Sequence, residues 1–460
     1  MHRGVVITGA GVVAASGAGA DRAWDALERA ECVLGPIRSF DASGLPCRLA
    51  GEVDGLSARD YVPKAYRKAT KVMARDTELA VAAAQLALLD AGLSSRGSGE
   101  TTLAATPAEA AAITPERTGC QIGAGLISAE IDELTAALST STEGGAFSAR
   151  RWGSADGGEG AMNNLPPLWM LKYLPNMLAC HVTIIHGAEG PSNTITCAES
   201  SGLLSLGESS RVIERGDADV CFSGGVESKV NPMGLIRLSK AGRVAETGDG
   251  ADARAFALPY DPASTGSLPG EGGAILMLEC AERAAARDPG RVLARVAGFG
   301  AGHSAGAIFP GLFDADPGEA FVDTGLRRAV RAALADAGVG PDEVDAIVPG
   351  ALGIPAADRG ERNALREVFG PRLAEIETIT VTPILGNSVA GHGALLAAVG
   401  AMALRRQRLP ARVHAGGGAA GLRVGPAPAR DADLRTILVC TPSLGGQVGA
   451  LVLTRFEGRV

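Results

Sequence analysis

Short apolar runs and helical-period segments alternate along this chain. "GVVITGAGVV" from Gly4 reads as a strand leading into a Gly turn, "DTELAVAAAQLALLDAGL" from Asp76 to Leu93 as a helix, and "TGCQIGAGL" from Thr118 to Leu126 as the next strand. The second half repeats the order, with "LARVAGFGAG" from Leu293 as strand, "GLRRAVRAALADAGV" from Gly325 as helix and "VDAIVPGALG" from Val344 as strand. The two helix ends nearly coincide, "ALLDAGL" at 87–93 against "ALADAGV" at 333–339, each closing on the glycine that a helix C-terminus favours. This pattern is an internal duplication in an α/β fold. Extended further, "CAESSGLLSLGESSRVIERGDADV" from Cys197 corresponds to "VAGHGALLAAVGAMALRRQRLP" from Val389. Each is a polar turn, a small-residue helix start and a long apolar helix, so two helix N-termini are expected to face a common centre.

Three segments interrupt the pattern and read as surface loops: Ser94 to Arg117, Arg151 to Gly160, and the stretch from His414 to Asp433. "HVTIIH" reads as a core or interface strand whose His181 and His186 are structural, as is His303 in its turn. Trp169, Met170, Leu171 and Tyr173 read as helix packing or dimer contact rather than a cofactor box. "GAGVVA" at Gly9 to Ala14 fits a dinucleotide fingerprint, but the region about 20 residues on is helical and offers no acidic strand end. A tight turn at the edge of a core strand explains it better.

Composition narrows the partners. With 46% hydrophobic and 20% charged residues the chain is an ordinary well-packed α/β protein, and a net charge of −8 without a basic stripe argues against nucleic acid. The longest apolar run near the C-terminus, "GALLAAVGAMAL" from Gly393, falls short of the ~20 residues that span a bilayer, so no membrane partner is expected. The N-terminal segment imitates a signal peptide, but four glycines between Gly4 and Gly17 favour a strand and turn. Eight cysteines without CxxC pairs fit a reducing cytoplasm and give neither a zinc site nor any other metal or cofactor set.

Five stretches, "VVITGAGVVAASG", "YLPNMLACHVTIIHGAEGPSNTIT", "SSGLLSLGESSRVIERGDADVCFSGGVES", "PYDPASTGSLPGEGGAILMLE" and "LGGQVGAL", together resemble the β-ketoacyl synthase branch of the thiolase superfamily along almost the whole chain. The resemblance implies duplicated halves in a five-layer α-β-α-β-α architecture, here divided as residues 1–280 and 281–460. It also implies an obligate dimer and acyl chains delivered on acyl carrier protein. An active member needs a cysteine at the strand-to-helix elbow, where the helix N-terminus lowers the thiol pKa, together with two histidines and a lysine. Aligned on the Ser-Gly that begins the helix, "AESSG" puts Glu199 at the nucleophile position. Cys197, two residues earlier, reads as a small buried residue.

The other catalytic positions depart as well. In "GALGIPAAD" Gly350 stands for the first histidine, while Pro355, Asp358 and Glu361 still match. In "NSVAGH" Asn387 stands for the lysine, and Gly391 and His392 are kept. Leu444 takes the aromatic position of the gating loop. Condensation by this chain alone is therefore not expected. The favoured reading is a chain-length-factor-like subunit paired with a ketosynthase α-subunit, the homodimer remaining open. The alternative is altered acyl chemistry, such as malonyl-carrier decarboxylation, with Glu199 and His392 as a working pair. A third reading, condensation through Cys197, is the weakest.

Overall fold

The computed structural model describes residues 3–99, 101, 109–153, 160–304, 318–414 and 421–458. The central parts of the three expected loops, 102–108, 154–159 and 415–420, lie outside the described residues.

Among the described residues the first half contributes five strands to the main path of the sheet, β1 (Val5–Ala14), β2 (Thr118–Gly123), β3 (Ser192–Ile195), β4 (Val220–Glu227) and β5 (Gly272–Cys280), with the short Gly17–Ala18 pairing β1 off that path. The second contributes β6 (Ala294–His303), β7 (Ala346–Val348), β8 (Glu377–Thr378), β9 (Thr436–Thr441) and β10 (Gln447–Thr454). Their spatial order is β3-β2-β4-β5-β1-β6-β10-β9-β7-β8. Counted within each half from its outer edge, both run third, second, fourth, fifth, first, and the parallel and antiparallel pairings repeat in the same places. Within the sheet the halves join through a short antiparallel contact, Val5 to Val296, Val6 to Arg295 and Ile7 to Ala294. The duplication read from two helix endings thus extends to the whole topology.

Among the described helices, six form the main layers: α1 (Arg75–Asp90), α2 (Met177–His186), α3 (Ser201–Glu214), α4 (Thr324–Ala337), α5 (Pro355–Phe369) and α6 (His392–Arg406). α1 and α2 cover the outer face of the first half, and α4 and α5 that of the second. Between the halves lie α3, against β2 and β4, and α6, against β5 and β9. The result is the five-layer arrangement. α6 is buried from His392 to Leu404, which explains an apolar run with little amphipathic stripe. Among the described residues no helix is long and apolar enough to cross a membrane.

Two local expectations are corrected. "HVTIIH" is not a strand: it ends helix α2, because its buried positions Leu178, His181, Val182 and Ile185 recur at helical spacing. "GAGVVA" is not a turn: Gly9 and Gly11 lie inside buried β1, and the chain turns only after Ala14. A Cβ at Gly9 would stand 2.3 Å from the Ala87 carbonyl oxygen and one at Gly11 1.8 Å from that of Ala83, so these glycines let α1 lie against the strand.

Candidate functional site

The elbow is built twice. Ahead of α3 a single turn, Ala198–Ser200, follows β3; ahead of α6 the turn is Val389–Gly391. Ala198 at φ +45° and Val389 at φ +46° both occupy the left-handed region, where side chains with a Cβ are costly and a β-branched one most of all. The two helix starts meet closely, since a Cβ on Gly202 would stand 2.7 Å from Ala394 and one on Gly393 2.9 Å from Leu203. The expected common centre therefore exists, with the Glu199 side and the His392 side facing each other across it.

The Glu199 carboxylate is buried and every near partner holds it. Oε1 accepts from Arg243 Nη2 at 2.6 Å and from Asn387 Nδ2 at 3.3 Å, and Oε2 accepts from the Leu444 backbone N–H at 2.9 Å. The side chains of Arg243 and Glu199 are each only 2% exposed. Burial alone would push this carboxyl up, but the Arg243 guanidinium and the Leu444 N–H outweigh it and hold the pKa below the ordinary value. The group is a fixed anion and a weak base.

His392 is not its partner. Nε2 lies 2.9 Å from the Gly350 carbonyl, which accepts only, so Nε2 carries the proton and donates there. Nδ1 is left without a hydrogen-bond partner. Burial lowers the imidazole pKa, beyond what the Gly350 bond and the Glu199 charge restore, so the ring is neutral. The expected Glu199–His392 pair is corrected on this point. Glu199 acts on the ring through its charge, while a guanidinium, always protonated, takes the carboxylate.

Gly350 and Asn387 have structural duties. A Cβ at Gly350 would stand 2.8 Å from Pro442 Cδ and from Thr441 Oγ1, so the place of the first histidine is closed to a larger side chain. Asn387 Oδ1 accepts from Val389 N at 2.9 Å, bracing the second elbow while its amide reaches Glu199. The matching residues Asp358 and Glu361 hold the loop that begins at Gly350. Glu361 accepts from Gly350 N, Ala351 N and the Tyr260 hydroxyl at 2.8, 3.0 and 2.6 Å, and Asp358 from Leu352 N, Gly353 N and Tyr260 N at 2.9, 3.0 and 2.8 Å.

Burial pushes the Asp358 carboxyl up to about 7 and that of Glu361 up to about 8. A raised folded-state value means stability that is full below the unfolded value of ~4 and is lost as pH rises through the folded value. We expect the unfolding free energy to fall from about pH 4 to about pH 8, between the unfolded and folded values, and to level off above that. Glu361→Gln should flatten that slope in denaturant titrations at several pH values; an unchanged slope would show that these carboxyls do not titrate in the window.

Cys197 stands off the elbow. Its N–H donates to Ser201 Oγ at 2.8 Å, and burial raises its thiol pKa, the opposite of nucleophile activation. His181 Nδ1 lies 2.8 Å from the Tyr66 hydroxyl. His186 Nδ1 lies 2.8 Å from Ser95 Oγ, and its ring stacks on Phe222 at 4.7 Å. Trp169 and Tyr173 pack together at 5.3 Å, whereas Met170 and Leu171 are exposed. Arg243 is the residue that sequence reasoning missed. A carboxylate placed at a buried elbow without its lysine does call for a cation, but nothing in "SKAGRVAETG" marks this one.

A duplicated α-β-α-β-α fold with a strained elbow at a shared helix centre defines a condensing-enzyme class, here with no nucleophile at the elbow. The chain matches the family described as "Beta-ketoacyl synthase, N-terminal domain" over residues 2–284 and "Beta-ketoacyl synthase, C-terminal domain" over 318–416. It is 32% identical over 454 residues to the tetracenomycin polyketide synthase ketoacyl synthase beta subunit of Streptomyces glaucescens, covering 98% of each chain. It is 31% identical over 401 residues to the actinorhodin polyketide putative beta-ketoacyl synthase 2 of Streptomyces coelicolor, covering 87% of this chain and 86% of that one. The solved ishigamide ketosynthase/chain length factor overlays with a TM-score of 0.77 at 25% identity, covering 99% of this chain and 100% of that chain. The chain belongs to the β-ketoacyl synthase family.

Proposed function

We propose that this chain is the non-condensing, chain-length-factor-like subunit of a type II polyketide or fatty-acid-like synthase, paired with an active ketosynthase and working on chains borne by acyl carrier protein. The observation that carries the reading is the engaged carboxylate at the elbow: Glu199 is ion-paired to Arg243 and accepts from the Leu444 N–H. A group so held offers neither a thioester acceptor nor a free base. The printed descriptions of the relatives as a beta subunit and as a ketosynthase/chain length factor agree with this role. We further place the division between the halves at 1–280 and 281–460, supported by the restart of the strand order at Ala294.

A partner is supported by the surface. Among the described residues the most exposed large apolar side chains, Leu126, Phe147, Leu168, Met170 and Ile184, all fall between positions 126 and 184, with Leu126 64% exposed. Strand β3, which leads to the elbow, is a sheet edge paired on one side only, to β2. Decarboxylation by Glu199 and His392 as a pair draws no support from the geometry, because the two groups share no hydrogen bond: Arg243 holds the carboxylate and the Gly350 carbonyl holds the Nε2 proton.

Co-expression with an intact ketosynthase encoded beside this chain tests the proposal. A stable one-to-one complex that elongates carrier-bound malonyl units, with no turnover by this chain alone, is the expected result. A homodimer that ignores every such ketosynthase, or condensation by the isolated chain, would overturn it.

A further inference from the structure

A second charged cluster lies in the C-terminal half, away from the elbow. Glu377 opens edge strand β8, and the segment from Arg408 to Asp431 folds back beside it through the pairs Arg408–Asp431 and Leu409–Arg430 and the bridges Arg412–Ala427 and Glu377–Arg423. This folding brings three guanidinium groups to one carboxylate. Arg412 Nη1 stands 3.2 Å and Arg430 Nη2 2.5 Å from Glu377 Oε2, and Arg423 Nη1 stands 2.5 Å from Oε1.

The charges do not balance. Three cations against one carboxylate leave two positive charges, in a chain whose net charge is −8. Of the nearby acids, Glu375 is engaged by Arg372, and Asp431 shares Arg408 with Glu28. Arg412 is 10% exposed and spends further donors on the Gly425 and Thr378 carbonyls. Arg423 and Arg430 are 48% and 38% exposed, so their remaining donors face solvent. The crowding is felt at Arg412, where burial first, and then the charges of Arg430 and Arg423, lower the guanidinium pKa despite Glu377. All three arginines tie this segment to Glu377, and together they carry more charge than that one carboxylate offsets.

We propose that Arg412, Arg423 and Arg430, gathered around Glu377, form a binding site for a phosphate group. The surplus positive charge suits a phosphate, and guanidinium forks match its tetrahedral oxygens better than they match chloride. The chemistry is that of a phosphate, free or terminal on a nucleotide-bearing carrier such as a coenzyme. The site lies outside the elbow, so it goes beyond the subunit role proposed above and does not depend on it.

The test uses the full chain, with its partner where one is found. Inorganic phosphate is titrated at constant ionic strength against chloride, followed by calorimetry and by the rise in melting temperature that binding to the folded state produces. Saturable binding is expected, at least tenfold weaker in the Arg423→Gln/Arg430→Gln double variant, with Arg430→Lys intermediate because it keeps charge but loses the fork. Coenzyme A and its form lacking the 3′-phosphate distinguish the sources: preference for the former assigns the site to a terminal phosphate on a nucleotide, and binding of inorganic phosphate alone assigns it to the free ion. The absence of saturable binding, an equal response to phosphate and chloride, or an undiminished response in the double variant would overturn the proposal. Because Arg423 and Arg430 are both substantially exposed, folding of the variants is checked separately by their unfolding curves in chloride.

Discussion

Replacing Glu199 by alanine is expected to destabilise the protein by about 3–5 kcal/mol, far more than a typical substitution, because it strands the buried guanidinium of Arg243. Asp358 feels the field of that guanidinium, but among the described residues Glu199 is the carboxylate that ion-pairs with it. Arg243 Nη2 donates to Glu199, and its Nε and Nη1 already lack hydrogen-bond partners. The same substitution frees the Leu444 N–H and the Asn387 amide. Glu199→Gln keeps the shape but removes the charge, and is expected to cost nearly as much for the same reason. Removing both charges is another matter: Glu199→Gln/Arg243→Met takes two ions out of a dry site, and buried ion pairs replaced by neutral groups of similar volume are often near neutral in effect. Equilibrium unfolding of Glu199→Gln, Arg243→Met and the double variant closes the cycle. A large coupling energy is expected. If the single variants lost under 1 kcal/mol, or their losses simply added, the pair would not be what holds the elbow.

The same pair marks the boundary of what the sequence could tell. Register against the helix start placed a carboxylate at the nucleophile position, because the start of α3 is fixed by small residues with close neighbours. It also marked Gly350 and Asn387 as departures, and both sit at the elbow. It did not supply Arg243, 44 positions along the chain, because a single arginine in a polar turn has no local pattern, and pairing across such a distance depends on tertiary structure. The assignment of Glu199 to His392 failed for a related reason: the sequence named both groups, but not the carbonyl at Gly350 that claims the imidazole proton. The helix at His181 was misread because β-branched Val182, Thr183, Ile184 and Ile185 favour strands locally, whereas packing onto α1 and β2 decides their conformation.

The misreading of "GAGVVA" leads to the other large expected effect. In β1 a register shift falls between Ile7 and Gly9, and in β6 the same shift falls between Val296 and Gly298. After each comes a pair of glycines two residues apart. Gly9 and Gly11 face the carbonyl oxygens of Ala87 and Ala83 on α1, and Gly298 and Gly300 face those of Ala333 and Ala329 on α4. The prospective Cβ distances are 2.3 and 1.8 Å in the first half and 2.3 and 2.0 Å in the second. Such glycines are therefore contact surfaces, the means by which a helix backbone lies directly on a strand, and they are repeated because the half itself is repeated. One methyl group at either central position must lift a helix off its sheet. Gly11→Ala and Gly300→Ala are each expected to cost on the order of 4–5 kcal/mol, the exceptional end of the range for point changes, and to reduce soluble yield. Gly44→Ala, at an exposed position where a Cβ meets nothing within 4 Å, should stay within about 0.5 kcal/mol of the parent and serves as the control. Denaturant unfolding of the three variants decides the matter. Equal stability of Gly11→Ala and Gly44→Ala would mean that α1 rides free of β1, and the close approach that the two halves share would lose its role in building the elbow between them.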